Sequence, residues 1–140
     1  MKPAVLLVLF LISSCVYMPA EVEVKREAPP AYYPPVKGEK IRMGRGVFIR
    51  TRCGAFFRSV GEGKVIYAGR DVGNFGWVVM VRQTDGFVAV YGKTGKPWVR
   101  TGERVKARQV LGRVGKGRKG CGIYFELRNR RGDPVNPVLR

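Results

Sequence analysis

The sequence contains no histidine, and this absence excludes several kinds of chemistry. Serine and cysteine nucleophiles are commonly activated by a neighbouring imidazole, and no such pair can form in this chain. Imidazole nitrogens are also common zinc ligands, and only three cysteines and ten Asp and Glu side chains remain as alternatives. The sequence therefore predicts no catalytic residue of the histidine-dependent hydrolases.

Acidic residues are scarce as well. The chain has 27 Lys and Arg against 10 Asp and Glu, for a formal net charge of +17. A charge of this size attracts polyanions, and nucleic acid is the usual partner of so basic a cytosolic protein. The N-terminus indicates export, so we expect no nucleic acid. The anions outside the cytoplasm are lipid head groups, cell-wall polymers and the carboxylates of peptidoglycan stem peptides.

A hydrophobic run long enough to span a bilayer is also missing. Ala4 to Ile12 are uninterruptedly apolar, but a transmembrane helix needs roughly 20 such residues. Lys2 precedes this run, and the small residues Ser13 and Ser14 follow it. This layout is typical of a secretory signal peptide, which we place at residues 1–14.

The end of the run, Ile12-Ser13-Ser14-Cys15, resembles the lipobox of bacterial lipoproteins. The resemblance implies cleavage before Cys15 and lipidation of that residue, which would anchor the chain to a membrane. Val16 is not the Asp that indicates inner-membrane retention, so we expect an outer-membrane anchor facing the periplasm in a cell with two membranes. A plain signal peptide with a chance cysteine is the alternative.

The sequence after the signal peptide divides into two parts. Five prolines lie between Pro19 and Lys40, including Pro29-Pro30 and Pro34-Pro35, which favour an extended backbone. We predict that residues 15–40 are a proline-rich tether and that residues 41–140 form one domain.

Helical periodicity is absent from the second part. Glycines separate short β-rich runs such as Trp77 to Val81, Phe87 to Tyr91 and Ile123 to Leu127. This pattern predicts an all-β domain, either a compact antiparallel sheet or a β-sandwich. Asp85-Gly86 lies between two of the runs and predicts a type I′ hairpin.

Several motifs resemble, in order and spacing, the LytM or M23 peptidase domain over residues 44–138. They are Lys64 to Gly69, Gly73 to Val79, Asp85 to Tyr91, Val99 to Gly115, Tyr124 to Glu126 and Asp133 to Pro137. The resemblance implies the LytM fold. In catalytic members it also implies a zinc endopeptidase that cuts peptidoglycan peptides, with two His and one Asp as zinc ligands.

The resemblance places the ligand and catalytic positions of the family on residues unsuited to zinc. In chain order these positions hold Gly44, Phe48, Gln83, Lys93, Gly122 and Tyr124. Gly44, Phe48 and Tyr124 stand where the three ligands are expected. Glycine has no ligating atom, and phenylalanine offers zinc nothing. The resemblance thus implies a degenerate cleft with no metal, no cofactor and no catalytic residue.

A basic loop precedes the last predicted strand. Gly115 to Gly120 fits the spacing G-x-G-x-x-G, but it leads into a strand, which excludes dinucleotide binding. We predict a cationic rim formed by Lys116, Arg118, Lys119, Arg128, Arg130 and Arg131. A solvated loop without a binding role is equally consistent with the sequence.

Cys53 and Cys121 are the cysteines of the predicted domain. An exported protein enters an oxidising compartment, where a disulfide is allowed. The resemblance makes Phe48 and Tyr124 neighbours, which would bring the two cysteines to the same side of that contact. A disulfide that replaces the metal as the staple of the cleft is one interpretation, and two buried thiols are the other.

Degenerate members of the family share the anchor, the tether and the lost ligands. They imply a non-catalytic, peptidoglycan-associated lipoprotein that recruits or activates cell-wall hydrolases, often amidases. We expect stem peptides, a hydrolase and the membrane as partners, with Lys93 facing a carboxylate and Phe48, Tyr124 and Trp98 supplying apolar contacts. The alternative is a structural envelope protein that adheres by surface charge. Residual endopeptidase activity is less expected.

Overall fold

The computed structural model describes residues 30–140. The predicted signal peptide, Cys15 and residues 16–29 of the predicted tether lie outside the described residues. Within residues 30–140, no helix has the length and hydropathy of a membrane span.

Short strands make up most of the described chain, together with one 3₁₀ turn at Gly73–Phe75. The strands are β1 (Ala31–Tyr32), β2 (Glu39–Met43), β3 (Gly46–Arg50), β4 (Phe56–Arg58), β5 (Gly63–Gly69), β6 (Trp77–Gln83), β7 (Val88–Thr94), β8 (Arg104–Val105), β9 (Val110–Arg113), β10 (Gly115–Gly117), β11 (Gly120–Arg128), β12 (Pro134–Val135) and β13 (Val138–Leu139). The main sheet has the order β2-β3-β11-β7-β6-β5-β8, with β10 and β12 also paired to β11. All pairs of this sheet are antiparallel.

Strand β11 lies at the centre of the sheet between β3 and β7. Successive side chains of a strand point to opposite faces, and β11 uses both. Ile123, Phe125 and Leu127 belong to the hydrophobic core, each with at most 1% of its surface exposed. Tyr124 and Glu126 are also buried, but they lie on the other face. The strand therefore separates the core from a second, more polar face.

A second layer covers the core face. Strands β4 and β9 form a separate two-stranded antiparallel sheet. Its residues Phe57 and Leu111 are fully buried in the same cluster as Ile123, and the Phe57 ring lies 5.6 Å from that of Tyr91. The predicted all-β class with antiparallel sheets is confirmed; the short parallel pair of β1 and β13 is an addition to it.

Residues that precede the predicted start of the domain pack against it. Ala31 and Tyr32 pair with the C-terminal strand β13, and Val36 belongs to the core. Strand β2 starts at Glu39. The described end of the predicted tether thus packs on the folded domain. The segment around Pro34-Pro35 still carries apolar side chains, Tyr32 and Val36, that pack in or against the core. Residues 31–40 therefore pack on the domain that we predicted to begin at residue 41.

The β6–β7 hairpin is present, but its turn is not type I′. That turn needs positive φ at both central residues, and Gly86 has φ of 92° whereas Asp85 is not among the residues with positive φ. The amide of Gly86 donates to the carbonyl of Gln83, and the amide of Gln83 donates to Phe87. This is a longer turn closed by a left-handed glycine, in which the Asp85 carboxylate accepts from the Phe87 amide.

A disulfide joins Cys53 to Cys121 across a sequence separation of 68 residues. Cys121 lies in β11 and is buried, while Cys53 lies in the exposed loop that follows β3.

We expect the double substitution of both cysteines by alanine to lower the free energy of unfolding by about 4 kcal/mol, because the bond restricts a long loop of the unfolded chain. Urea unfolding of the variant against the oxidised protein measures this. Two free thiols, found by intact mass without reductant in protein made in an oxidising compartment, would contradict the pairing.

Tyr91 predicts how stability changes at alkaline pH. Its ring is fully buried, its hydroxyl accepts from the Val60 amide at 2.8 Å, and burial raises the pKa of Tyr91 to about 12. The unfolded tyrosine titrates near pH 10, so between about pH 10 and 12 the folded state holds the proton longer and stability falls as pH rises, by about 2 kcal/mol.

We expect Tyr91→Phe to make this alkaline slope shallower, at a cost of about 1–3 kcal/mol at neutral pH from the unpaired Val60 amide. Urea titrations at several pH values measure both effects. Tyr33→Phe, at a side chain 62% exposed, is the matched control. An unchanged slope in Tyr91→Phe would contradict the assignment.

Candidate functional site

A cleft lies on the polar face of the main sheet. It consists of two adjoining cavities of about 430 and 510 Å³ that share Met43, Asn74 and Lys93. The first extends under the β10–β11 hairpin, and we call it the hairpin half. The second contains Tyr124 and Arg128, and we call it the tyrosine half.

The structure brings five of the six predicted cleft positions together. Phe48, Lys93 and Gly122 line the hairpin half, and Gly44, Lys93 and Tyr124 line the tyrosine half. Phe48 and Tyr124 are direct partners in the antiparallel pair of β3 and β11. Because alternate residues of a strand share a face, Gly122 and Tyr124 stand side by side.

Gln83 does not lie in this cleft. It ends β6, whereas Trp77, which starts the same strand, lines the hairpin half. The two ends of a seven-residue strand are roughly 20 Å apart. Gln83 is buried, and its amide group donates to the Tyr32 hydroxyl at 2.9 Å and to Asp85. The resemblance placed a family position on Gln83 because it comes at the end of a long strand. In the structure this is the end of β6 that points away from the cleft.

Lys93 owes its position to a β-bulge. Trp77 pairs with Thr94 and Val79 pairs with Tyr91, so two residues of β7 face one residue of β6. Lys93 has φ of 54°, a left-handed conformation that is uncommon outside glycine. Bulges re-aim side chains, and this one interrupts the alternation of β7 and leaves Lys93 exposed in the cleft. The sequence shows the lysine but contains no signal for the bulge.

The floor between Phe48 and Gly122 is closely packed. A Cβ atom at Gly122 would lie 2.8 Å from Cζ of Phe48 and would collide with the carbonyl oxygen of Ile49. No side chain fits at this position without displacement of β3. Gly44 differs, because no atom lies within 4 Å of the place where its Cβ would be. Its φ of 57° is a left-handed conformation that favours glycine.

A buried carboxylate supports the tyrosine half. Glu126 is 2% exposed and accepts hydrogen bonds from the Tyr124 hydroxyl at 2.9 Å and from Nε of Arg128 at 2.7 Å. The Phe75 ring lies 5.3 Å from that of Tyr124. Burial, and then the hydrogen bond to Glu126, raise the pKa of Tyr124 to about 12, so its hydroxyl stays protonated and donates at neutral pH.

The predicted cationic rim is divided between two ends of the domain. Lys116, Arg118 and Lys119 line the hairpin half, and Arg128 lines the tyrosine half. Arg130 and Arg131 line a different cavity beside Asp85, at the β6–β7 turn. After β11 ends at Arg128, the chain turns away from the cleft, so Asn129, Arg130 and Arg131 lie beside Asp85 instead. Their closeness to Arg128 in the sequence did not indicate this turn.

The cleft also contains cations that the sequence did not single out. Arg70 follows β5 and lines the hairpin half, with its guanidinium 4.9 Å from the Trp77 ring centre. Arg45 lies in the tyrosine half. No motif marks either residue, and only the fold brings them to the cleft. Trp98, predicted to contact a ligand there, instead packs edge-to-face on Phe56, 5.4 Å between ring centres.

The donor set of the cleft does not fit zinc. The residues lining its two halves include one carboxylate, Glu126, and that group is engaged by Tyr124 and Arg128. Cys53 and Cys121 are bonded to each other and are not thiolates. Across residues 30–140, no three His, Cys, Asp or Glu residues are grouped as a metal would require.

Gly122 provides a test of the packed floor. We expect Gly122→Ala to lower the free energy of unfolding by about 2 kcal/mol, because the added methyl group overlaps β3. Gly117→Ala is the matched control in the same hairpin, since the nearest atom to its added Cβ is 4.0 Å away. Urea unfolding compares the two variants. Equal stability of both would contradict the tight contact between Phe48 and Gly122.

Comparison with known proteins identifies a family from the sequence and a similar fold among solved structures. Residues 42–137 match the model of peptidase family M23. The chain is 30% identical over 97 residues to the lipoprotein NlpD/LppB homolog of Pseudomonas aeruginosa, covering 69% of this chain and 32% of that protein. It is 27% identical over 95 residues to the murein hydrolase activator NlpD of Escherichia coli, covering 67% and 25% respectively.

Among solved structures, Csd3 of Helicobacter pylori superposes with a TM-score of 0.68 at 25% identity, over 80% of this chain and 34% of that one. The chain therefore spans about a third or less of the length of these relatives. The family match covers most of the chain. The chain belongs to peptidase family M23.

Proposed function

We propose that this protein is a non-catalytic M23 module of the cell envelope that recruits or activates cell-wall hydrolases acting on peptidoglycan. One observation carries the proposal. By the family resemblance, the positions expected to hold zinc carry Gly44, Phe48 and Tyr124, and the floor of the cleft is packed so that Gly122 accepts no side chain. A scaffold kept without its ligands favours binding over hydrolysis.

The named relatives support this direction. The Escherichia coli relative is called a murein hydrolase activator, and the Pseudomonas aeruginosa relative is called a lipoprotein. This chain matches only part of each. An envelope location agrees with these names, and we further propose that Cys15 carries the lipid and that the anchor lies in the outer membrane facing the periplasm.

The tyrosine half of the cleft suits an extended peptide segment. Tyr124 and Phe75 give it an aromatic wall, and Lys93 and Arg45 supply positive charge. A peptidoglycan stem peptide has free carboxylates and an extended backbone, so we propose that its carboxylate meets Lys93. The fixed backbone of the bulge keeps this lysine in the cleft without relying on a partner side chain.

Hydrolase activation can be tested with the chain purified from the envelope and the proteins it captures there. We expect a captured hydrolase to release dye from labelled sacculi several-fold faster when the chain is added. The chain alone, with or without added zinc, should release none. Dye release by the chain alone that a chelator abolishes would refute the non-catalytic assignment.

Lys93→Glu tests the cleft itself. We expect this variant to lose most of its co-sedimentation with sacculi, since each reversed contact costs on the order of 1.5 kcal/mol or tenfold. Lys93→Arg keeps the charge on the same backbone and should retain binding. Lys106→Glu, at an exposed residue outside the cleft, is the charge-matched control. Equal loss in Lys93→Glu and Lys106→Glu would contradict a role for the cleft.

Adhesion by surface charge is the second candidate. Within residues 30–140 only two salt bridges form, Arg50 with Glu39 and Arg128 with Glu126, so most cations are free to attract a polyanion. Salt separates the two functions. Binding by charge alone should vanish by a few hundred millimolar salt, since the Debye length is about 8 Å at 0.15 M, whereas a shaped cleft retains part of its affinity.

A further inference from the structure

The hairpin half of the cleft concentrates positive charge from three separate parts of the chain. Arg70 comes from the end of β5 and Lys93 from the bulge of β7. Lys116, Arg118 and Lys119 come from the β10–β11 hairpin. No Asp or Glu is among the residues that line this cavity.

These five cations have no carboxylate partner among residues 30–140, where the two salt bridges involve Arg50 and Arg128. Like charges that converge on one cavity repel one another, and no carboxylate of the lining offsets this repulsion. Their convergence therefore costs free energy in the unliganded protein. An anion bound in the cavity would offset that cost. Cations scattered over a surface repel one another less and have no such need of a bound anion.

The backbone that carries several of these cations is fixed before any ligand arrives. Lys116 pairs with Cys121 in the hairpin, and Cys121 is bonded to Cys53, so the base of the hairpin is fixed to the loop after β3. The guanidinium of Arg70 lies over the Trp77 ring, 4.9 Å from its centre, and this cation–π contact localises it at the cavity. A fixed backbone reduces the entropy that must be lost when the site binds a ligand.

We propose that the hairpin half is a phosphate-binding site, and that its ligand is a phosphate-bearing envelope molecule, with a diphosphate as the best match in charge. A peptide brings about one carboxylate charge per acidic residue, and side chains on one face of an extended segment are about 7 Å apart. A phosphate monoester carries about −1.5 to −2. A cavity of about 430 Å³ with five cations requires the denser charge.

Two further features agree with this ligand class. Arginine binds phosphate through two parallel hydrogen bonds, and Arg70 and Arg118 supply such forks. The remaining wall contains Met43 and Phe48, which suits the uncharged part of the molecule that carries the phosphate. The site requires neither a hydrolase nor a stem peptide; it shares Lys93 with the tyrosine half, and its other four cations line the hairpin half alone.

Calorimetry with inorganic pyrophosphate tests the site on the full exported chain. The cleft variant combines Lys116→Gln, Arg118→Gln and Lys119→Gln. The control variant combines Lys64→Gln, Arg104→Gln and Lys106→Gln, which removes the same charge from exposed residues of β5 and the β8 region. At about 0.15 M salt we expect the cleft variant to bind at least roughly tenfold more weakly and the control to change less than twofold.

Equal weakening in both variants, at unchanged thermal midpoints, would overturn the proposal in favour of general charge attraction. The proposal also fails if pyrophosphate does not bind the unaltered chain, or if a pentaglutamate peptide binds more tightly, which would indicate an acidic protein partner. Flotation with phosphatidylcholine vesicles containing phosphatidic acid distinguishes the source. Vesicle binding that is lost in the cleft variant but kept in the control identifies a lipid headgroup. Pyrophosphate binding by a chain that does not bind the vesicles identifies a soluble phosphate.

Discussion

The contact between β3 and β11 is the constraint on which the rest of the domain depends. Phe48 pairs with Tyr124, and the Phe48 ring fills the space beside Gly122. On the other face of the same strand, Ile123, Phe125 and Leu127 form the centre of the core. A change in register by one residue would exchange these two faces, so the hydrophobic core fixes the composition of the cleft floor. The packing of Phe48 beside Gly122 thus closes the cleft floor between these two strands.

Charge gives this floor its chemical character. In a zinc peptidase the metal is the dominant positive charge of the site, and carboxylates can be tolerated around it. Here the positive charge is spread over lysine and arginine side chains, and the one carboxylate at the cleft, Glu126, is buried between Tyr124 and Arg128. Such an arrangement still attracts anions but supplies no open coordination position for water. This distribution of charge, together with the packing, is the physical basis of the binding role proposed above.

The sequence predicts what depends on strand alternation and motif order. The all-β class, the pairing of Phe48 with Tyr124 and the location of five cleft positions follow from local patterns and a family spacing. Gln83 could not be placed in this way, because its position depends on which end of β6 reaches the cleft. The packing of β1 on the domain depends on a parallel pairing with β13, more than 100 residues away, which no local pattern of the tether shows.

The basic residues illustrate the same limit more sharply. Lys116 and Arg130 looked equivalent in the sequence, yet one lines the cleft and the other lies beside Asp85. Arg70 carried no motif and lies on Trp77 at the cleft. Net charge is a property of composition, but charge density is a property of the fold. A strongly basic chain becomes selective only where turns and bulges bring cations from separate strands to one cavity, as the bulge at Lys93 and the hairpin at Arg118 do.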